Sequence, residues 1–212
     1  CIRVETEDPD PNDPGDGTVA VPVSDGNVFN VRIARNLITR CGASGIATFP
    51  LLAVNSRGEP AFDAVTVERV LIEDNEITDC VRREVAPLPP VQRLFAGQGG
   101  IALGFALDLT VRQNRIEGNG SEPSRIASGI FVGYGEGLRI EHNRIERNGA
   151  LAAELGGSTG GIVVRMAMGG AEPAQRYSAQ DTDRPALLVQ GNVVHSPAGR
   201  ALKAIAQGPV VV

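Results

Sequence analysis

Five times along the chain, apolar residues alternate with polar ones up to an asparagine. An aliphatic residue follows two places on, and a small or polar residue closes the motif three places later. The copies are Val31-Arg-Ile-Ala-Arg-Asn36-Leu-Ile-Thr-Arg-Cys41, Val70-Leu-Ile-Glu-Asp-Asn75-Glu-Ile-Thr-Asp-Cys80, Leu109-Thr-Val-Arg-Gln-Asn114-Arg-Ile-Glu-Gly-Asn119, Leu138-Arg-Ile-Glu-His-Asn143-Arg-Ile-Glu-Arg-Asn148 and Leu187-Leu-Val-Gln-Gly-Asn192-Val-Val-His-Ser-Pro197. Alternation with a period of two marks strands buried on one face, and the Asn and Gly breaks exclude a helix of useful length. A second apolar piece follows each motif, usually led by glycine: Gly45-Ile46, Gly100-Ile101, Gly129-Ile130, Gly161-Ile162 and, more weakly, Ala201-Leu202. Each unit thus predicts at least three short β-strands.

Successive asparagines lie 39, 39, 29 and 49 residues apart, too irregular for helical repeats of fixed length. Variable loops on a constant strand frame fit instead. Asparagine tolerates a left-handed backbone, and its amide can bond to an identical amide stacked above it. The sequence therefore places a sharp corner at Asn36, Asn75, Asn114, Asn143 and Asn192, stacked as a structural ladder. The predicted fold is all-β, a right-handed parallel β-helix of about five coils spaced about 4.8 Å apart, with loops projecting from the rod. Its interior would hold the ladders Val31/Val70/Leu109/Leu138/Leu187, Ile33/Ile72/Val111/Ile140/Val189, Ile38/Ile77/Ile116/Ile145/Val194 and Ile46/Ile101/Ile130/Ile162/Leu202.

With these corners and the Gly-Ile strands, residues 28 to 205 resemble the pectate-lyase-like superfamily of parallel β-helix repeat proteins. That resemblance implies a fold but no one activity, because the scaffold carries lyases, hydrolases, epimerases, adhesins and spikes. The polygalacturonase-like branch would bring Asn-Thr-Asp, Asp-Asp, Gly-His-Gly and Arg-Ile-Lys motifs, none of which occurs; Arg200-Ala-Leu-Lys203 is only a superficial echo.

The chain's 212 residues suit one domain. The sequence divides into an acidic, Pro-rich lead-in with a first strand at 1–27 and a β-helix domain at 28–212. An N-terminus that lacks both Met and a signal core, Cys1-Ile2-Arg3-Val4-Glu5, reads as a piece of a longer protein, as does the apolar run Gly208-Pro-Val-Val-Val212. Open strand edges at the rod's ends call for the rest of that polypeptide or a capping partner chain. Insertions at 48–66, 81–98, 149–160 and 166–185 are expected to project and to carry any binding specificity.

Net charge is -5, with Lys203 the only lysine, which argues against a nucleic-acid groove. No apolar run reaches the length of a membrane span. Asp8-x-Asp10-x-Asn12 has the spacing that opens a calcium loop, but Asp13 stands where glycine is required and Val19 where the closing glutamate belongs. No cofactor is predicted, calcium at these three residues being the alternative. Cys41 and Cys80 fall at equivalent positions of successive coils and are read as two stacked thiols, a disulfide between parallel Cβ vectors being the less favoured pairing.

Chemistry is harder to find. Glu73, Arg112 and Glu141 alternate in sign at one outward position, while Glu76, Arg115 and Arg144 share another, a pattern that cross-coil ion pairing explains. The catalytic reading would use Glu73, Asp74 or Glu76 as acid or base, with Arg112 or Arg115 holding an acidic sugar. His142 and His195 accompany no nucleophile motif and no metal-ligand spacing. The expected function is a non-catalytic scaffold and display segment of an extracellular, cell-surface or particle-associated protein, touching polysaccharide or protein through its loops. The alternative is a polysaccharide lyase or glycoside hydrolase acting on an acidic polysaccharide.

Overall fold

The computed structural model describes residues 24–48, 51–54, 60–83, 97–121, 127–149, 159–169, 185–195 and 199–212, and every regular element among them is a β-strand. The Pro-rich lead-in with Asp8, Asp10 and Asn12, and most of the four insertions, lie outside the described residues. The first turn of chain is β1 (Ser24–Phe29), β2 (Arg32–Ala34) and β3 (Leu37–Thr39). The second is β4 (Ile46–Thr48), β5 (Leu51–Val54), β6 (Pro60–Glu73) and β7 (Glu76–Thr78), and the third is β8 (Gly99–Arg112) with β9 (Arg115–Glu117). Then come β10 (Ser128–Glu136), β11 (Leu138–Glu141) and β12 (Arg144–Glu146), followed by β13 (Gly160–Met168), β14 (Leu187–Gln190) and β15 (Val193–His195). A partial turn, β16 (Arg200–Gln207) and β17 (Val210–Val211), completes the described chain.

Each strand pairs in parallel with its counterpart in the neighbouring turn, with one exception. A narrow sheet of five strands runs β3-β7-β9-β12-β15, and the remaining parallel strands form the broad wall. Register follows the sequence ladders. Ile38, Ile77, Ile116, Ile145 and Val194 are successive partners, as are Ile33, Ile72, Val111, Ile140 and Val189. Ile46, Ile101, Ile130, Ile162 and Leu202 form the same kind of line after the glycines. In the middle coils these side chains are fully buried, while Val31, Ile33, Ile38, Ile46, Val194 and Leu202 of the outer coils are partly covered. The chain is a parallel β-helix, and burial of these branched aliphatics, about 1.5–3 kcal/mol for each fully covered side chain, is its main source of stability.

Three features depart from the sequence reading. Part of the 48–66 insertion is regular rather than loop: β5 pairs antiparallel with the start of β6, Leu51 opposite Asp63 and Val54 opposite Pro60. Outside the main core, Ala102, Phe131 and Val163 make a second small buried cluster on the other face of the broad wall. The corner also sits one residue earlier than expected. Left-handed backbone belongs to Arg35, Asp74, Gln113, His142 and Gly191, not to the asparagines that follow them. The asparagine's own N–H and amide are committed to the column, so its predecessor makes the bend and donates its N–H to the next coil, as Asp74 does to the Arg112 carbonyl at 3.3 Å. That residue is exposed in every coil, which is why Arg, Asp, Gln, His and Gly are all accepted there.

Candidate functional site

The asparagine column is a continuous chain of amides. Nδ2 of Asn36 donates to Oδ1 of Asn75 at 2.9 Å, Asn75 to Asn114 at 3.0 Å, Asn114 to Asn143 at 2.9 Å and Asn143 to Asn192 at 2.9 Å. The same Oδ1 accepts the backbone N–H of the preceding asparagine, and the second amide hydrogen goes back to a carbonyl, as from Asn114 to Ile72 at 2.9 Å. A buried amide is tolerated only when its donors and acceptors are used in this way. Asn119 and Asn148 form a shorter second column, with 2.8 Å between Nδ2 and Oδ1, and the Cys80 N–H donates to Asn119 Oδ1 at 2.9 Å. These columns support the frame and present nothing reactive.

The charged candidates separate into two groups on either side of the corner. Glu73 ends β6 with its side chain only 4% exposed, between two guanidinium groups. Arg112 Nη2 lies 2.6 Å from Oε2, and Arg32 Nε donates to Oε1 at 2.7 Å. Hydrogen bonds from Arg112 and then Arg32 hold the Glu73 carboxyl below its ordinary value of 4.5, against the opposing effect of burial. Such a carboxylate is ionised and fully occupied, a poor proton donor or acceptor for a substrate. Arg32 was missed in the sequence because it is two positions from Glu73's own column, at the diagonal that long side chains reach across parallel strands. Glu141, the third member of that column, has its ion pair with Arg139 of its own strand at 3.6 Å.

Asp74 occupies the left-handed corner and is exposed. Glu76 starts β7 on the narrow sheet, where Arg115 Nη1 contacts it at 2.8 Å and Arg115 Nη2 contacts Glu117 at 2.7 Å. Arg147 also pairs with Glu117. Together with Thr78, Asp79, Gly118 and Ser121, these residues line an open depression of about 520 Å³. Glu117 and Arg147 escaped the sequence reading. The available signal was the column Thr78, Glu117, Glu146, His195, which runs beside the one containing Glu76. His142 is an exposed corner residue whose ring covers Gly191, and His195 lies at the exposed end of β15. Among the described residues no group of three or more His, Cys, Asp or Glu is arranged to hold a metal ion, and no helix is long and apolar enough to cross a membrane.

One consequence can be measured. Because the folded state favours ionised Glu73, its contribution to stability is present above the ordinary glutamate range and is lost as pH falls through the depressed folded value. Glu73→Gln is therefore expected to lower the urea midpoint at neutral pH, with the gap to the native chain closing as pH drops below about 4.5. A gap independent of pH would mean that the carboxylate's charge contributes nothing.

Comparison with known proteins agrees with the geometry. A family described as right handed beta helix region matches residues 52–166, more than half of the chain. No curated protein and no solved structure matches it. The in-register parallel coils, the amide columns and this match place the chain in the right-handed β-helix family.

Proposed function

We propose that the chain is a non-catalytic scaffold, a rigid β-helical segment that spaces and displays the loops of a larger extracellular, surface or particle-associated protein, with polysaccharide or protein as the ligand of those loops. The observation that supports this reading is the mutual satisfaction of outward charges. Glu73 is shared by Arg32 and Arg112, while Glu76 and Glu117 are taken up by Arg115 and Arg147. Ion pairs between neighbouring coils hold these side chains against the rod, so the carboxylates of Glu73, Glu76 and Glu117 are already engaged.

A second reading follows from one place. In the depression beside Glu76, carboxylates and guanidinium groups meet in an open groove, the combination that a lyase or hydrolase of an acidic polysaccharide would need. Incubation with uronic-acid polymers, followed by detection of unsaturated ends and of new reducing ends, separates the two. The scaffold reading expects neither product, together with glycan or protein binding that survives Glu76→Gln and Glu117→Gln and disappears when residues 170–184 are replaced by a short Gly-Ser linker. Turnover abolished by Glu117→Gln would overturn it.

A further inference from the structure

The second column changes chemistry at its N-terminal end. Where the later coils carry Asn119 and Asn148, the first two carry Cys41 and Cys80, both free thiols. Strands β3 and β7 are in register through Thr39 opposite Thr78. Beyond them the Arg40 N–H donates to the Thr78 carbonyl at 3.1 Å and the Arg82 N–H to the Cys41 carbonyl at 3.2 Å, so the two cysteines follow the same corner in adjacent coils. Neighbouring parallel strands are about 4.8 Å apart, inside the Cα separation that a disulfide spans.

Orientation also favours contact. Both thiols address the carbonyl two residues before them, Cys41 Sγ that of Thr39 at 4.0 Å and Cys80 Sγ that of Thr78 at 3.5 Å. Cys80 Sγ also reaches across to the first coil, 4.0 Å from the Ile38 carbonyl, as Asn119 Nδ2 does to the Ile77 carbonyl at 3.2 Å in the next pair of coils. Their surroundings differ. Cys41 is half-exposed, whereas Cys80 is 1% exposed, with its sulfur 3.4 Å from where a Cβ on Gly45 would stand.

We propose that Cys41 and Cys80 are an oxidisable dithiol that closes into a disulfide, stapling the first coil of the rod to the second. Cys41, the accessible thiol, loses its proton and attacks a small-molecule disulfide such as oxidised glutathione, expelling one glutathione thiolate. Cys80 then gives up its proton and attacks Cys41 Sγ, forming the intramolecular bond and expelling the second glutathione thiolate. The two released protons are taken up by the two departing thiolates, so a protein dithiol and one disulfide become a protein disulfide and two thiols. Burial pushes the Cys80 thiol up to about 12, which makes closure the slow step and its rate steeply dependent on pH.

The test uses the chain carrying Cys1→Ser, so that only the two cysteines of interest react. Oxidised glutathione is added, aliquots are alkylated, and intact mass is followed. The expected end point is a monomer lighter by two hydrogens that resists alkylation, reached through a transient glutathione adduct at Cys41. Closure should accelerate about tenfold per pH unit between roughly pH 8 and 10, and the thermal midpoint should stand several degrees above that of the dithiothreitol-treated sample. Cys80→Asn, which keeps the column's shape, should stop at the adduct. A persistent adduct in the chain with both cysteines, full alkylation of both thiols, or cross-linked dimers alone would overturn the proposal.

Discussion

Asn114→Ala is expected to lower stability by roughly 3 kcal/mol, on the order of 10 °C in thermal midpoint, because truncation leaves a buried backbone N–H of the neighbouring coil without an acceptor and takes one bond from a buried amide. The N–H is that of Asn75 and the amide is its Nδ2, both 3.0 Å from Asn114 Oδ1, and the amide keeps the Ile33 and Glu73 carbonyls as acceptors. The Ile72 carbonyl and Asn143 Oδ1 each lose a donor as well. The column has a direction, each asparagine accepting from the coil before it, and this supplies an internal control. Asn36 donates to Asn75, but its Oδ1 accepts from no partner among the described residues, and it is exposed. Asn36→Ala strands no buried donor and should cost about 1 kcal/mol or less. Denaturant unfolding of both variants checks the argument. Equal losses would mean that the amides act through corner shape alone, without hydrogen-bond directionality.

This asymmetry bears on why the fold was so legible. A five-fold Asn-x-aliphatic motif has one structural cause that repeats in register, and the same residues that mark it in sequence, Asn75, Ile77 and Ile116 among them, make the contacts in space. Features that depend on a neighbour outside that register were not legible. Arg32 reaches Glu73 along a diagonal, and the left-handed bend falls on residues such as Gln113 and His142, whose types share no property beyond tolerance of solvent. The outer cluster of Ala102, Phe131 and Val163 occupies the strand positions that alternate with Ile101, Ile130 and Ile162, where the period of two turns side chains away from the tube. The backbone at Gly97 lies against the Phe131 ring and helps to cover it. The charge pattern had the opposite fate. Alternation of Glu73 with Arg112 was visible, but its use as a clamp rather than a reactive pair depended on the second guanidinium.

The glycines that lead the Gly-Ile strands illustrate the same limit and carry the other large expected effect. Sequence marks them as strand leaders without a reason, and the reason is steric. A Cβ on Gly129 would stand 2.3 Å from Ile145 Cγ2, 2.9 Å from the Gly161 carbonyl oxygen and 3.2 Å from Asn148 Nδ2. Gly100 meets the same three kinds of neighbour in Ile116, the Gly129 carbonyl and Asn119, one coil earlier. Here the broad wall lies close against the narrow sheet and the second amide column. In the last unit alanine stands at the equivalent place, and Ala201 is exposed. Gly129→Ala must therefore push a core isoleucine and a coil's backbone apart together, at a cost of about 3 kcal/mol. Gly118 is the counterpart whose constraint is conformational, since its φ is +66° and nothing lies within 4 Å of a Cβ placed there. Gly118→Ala should cost only about 1 kcal/mol for left-handed strain, and Gly118→Asn less still. Urea midpoints of the three variants decide the matter. If Gly118→Ala proved the more damaging of the two alanine changes, coil spacing at the glycine line would have to be wide enough to admit a methyl group, and the close approach of wall and sheet would not be the constraint that keeps glycine there.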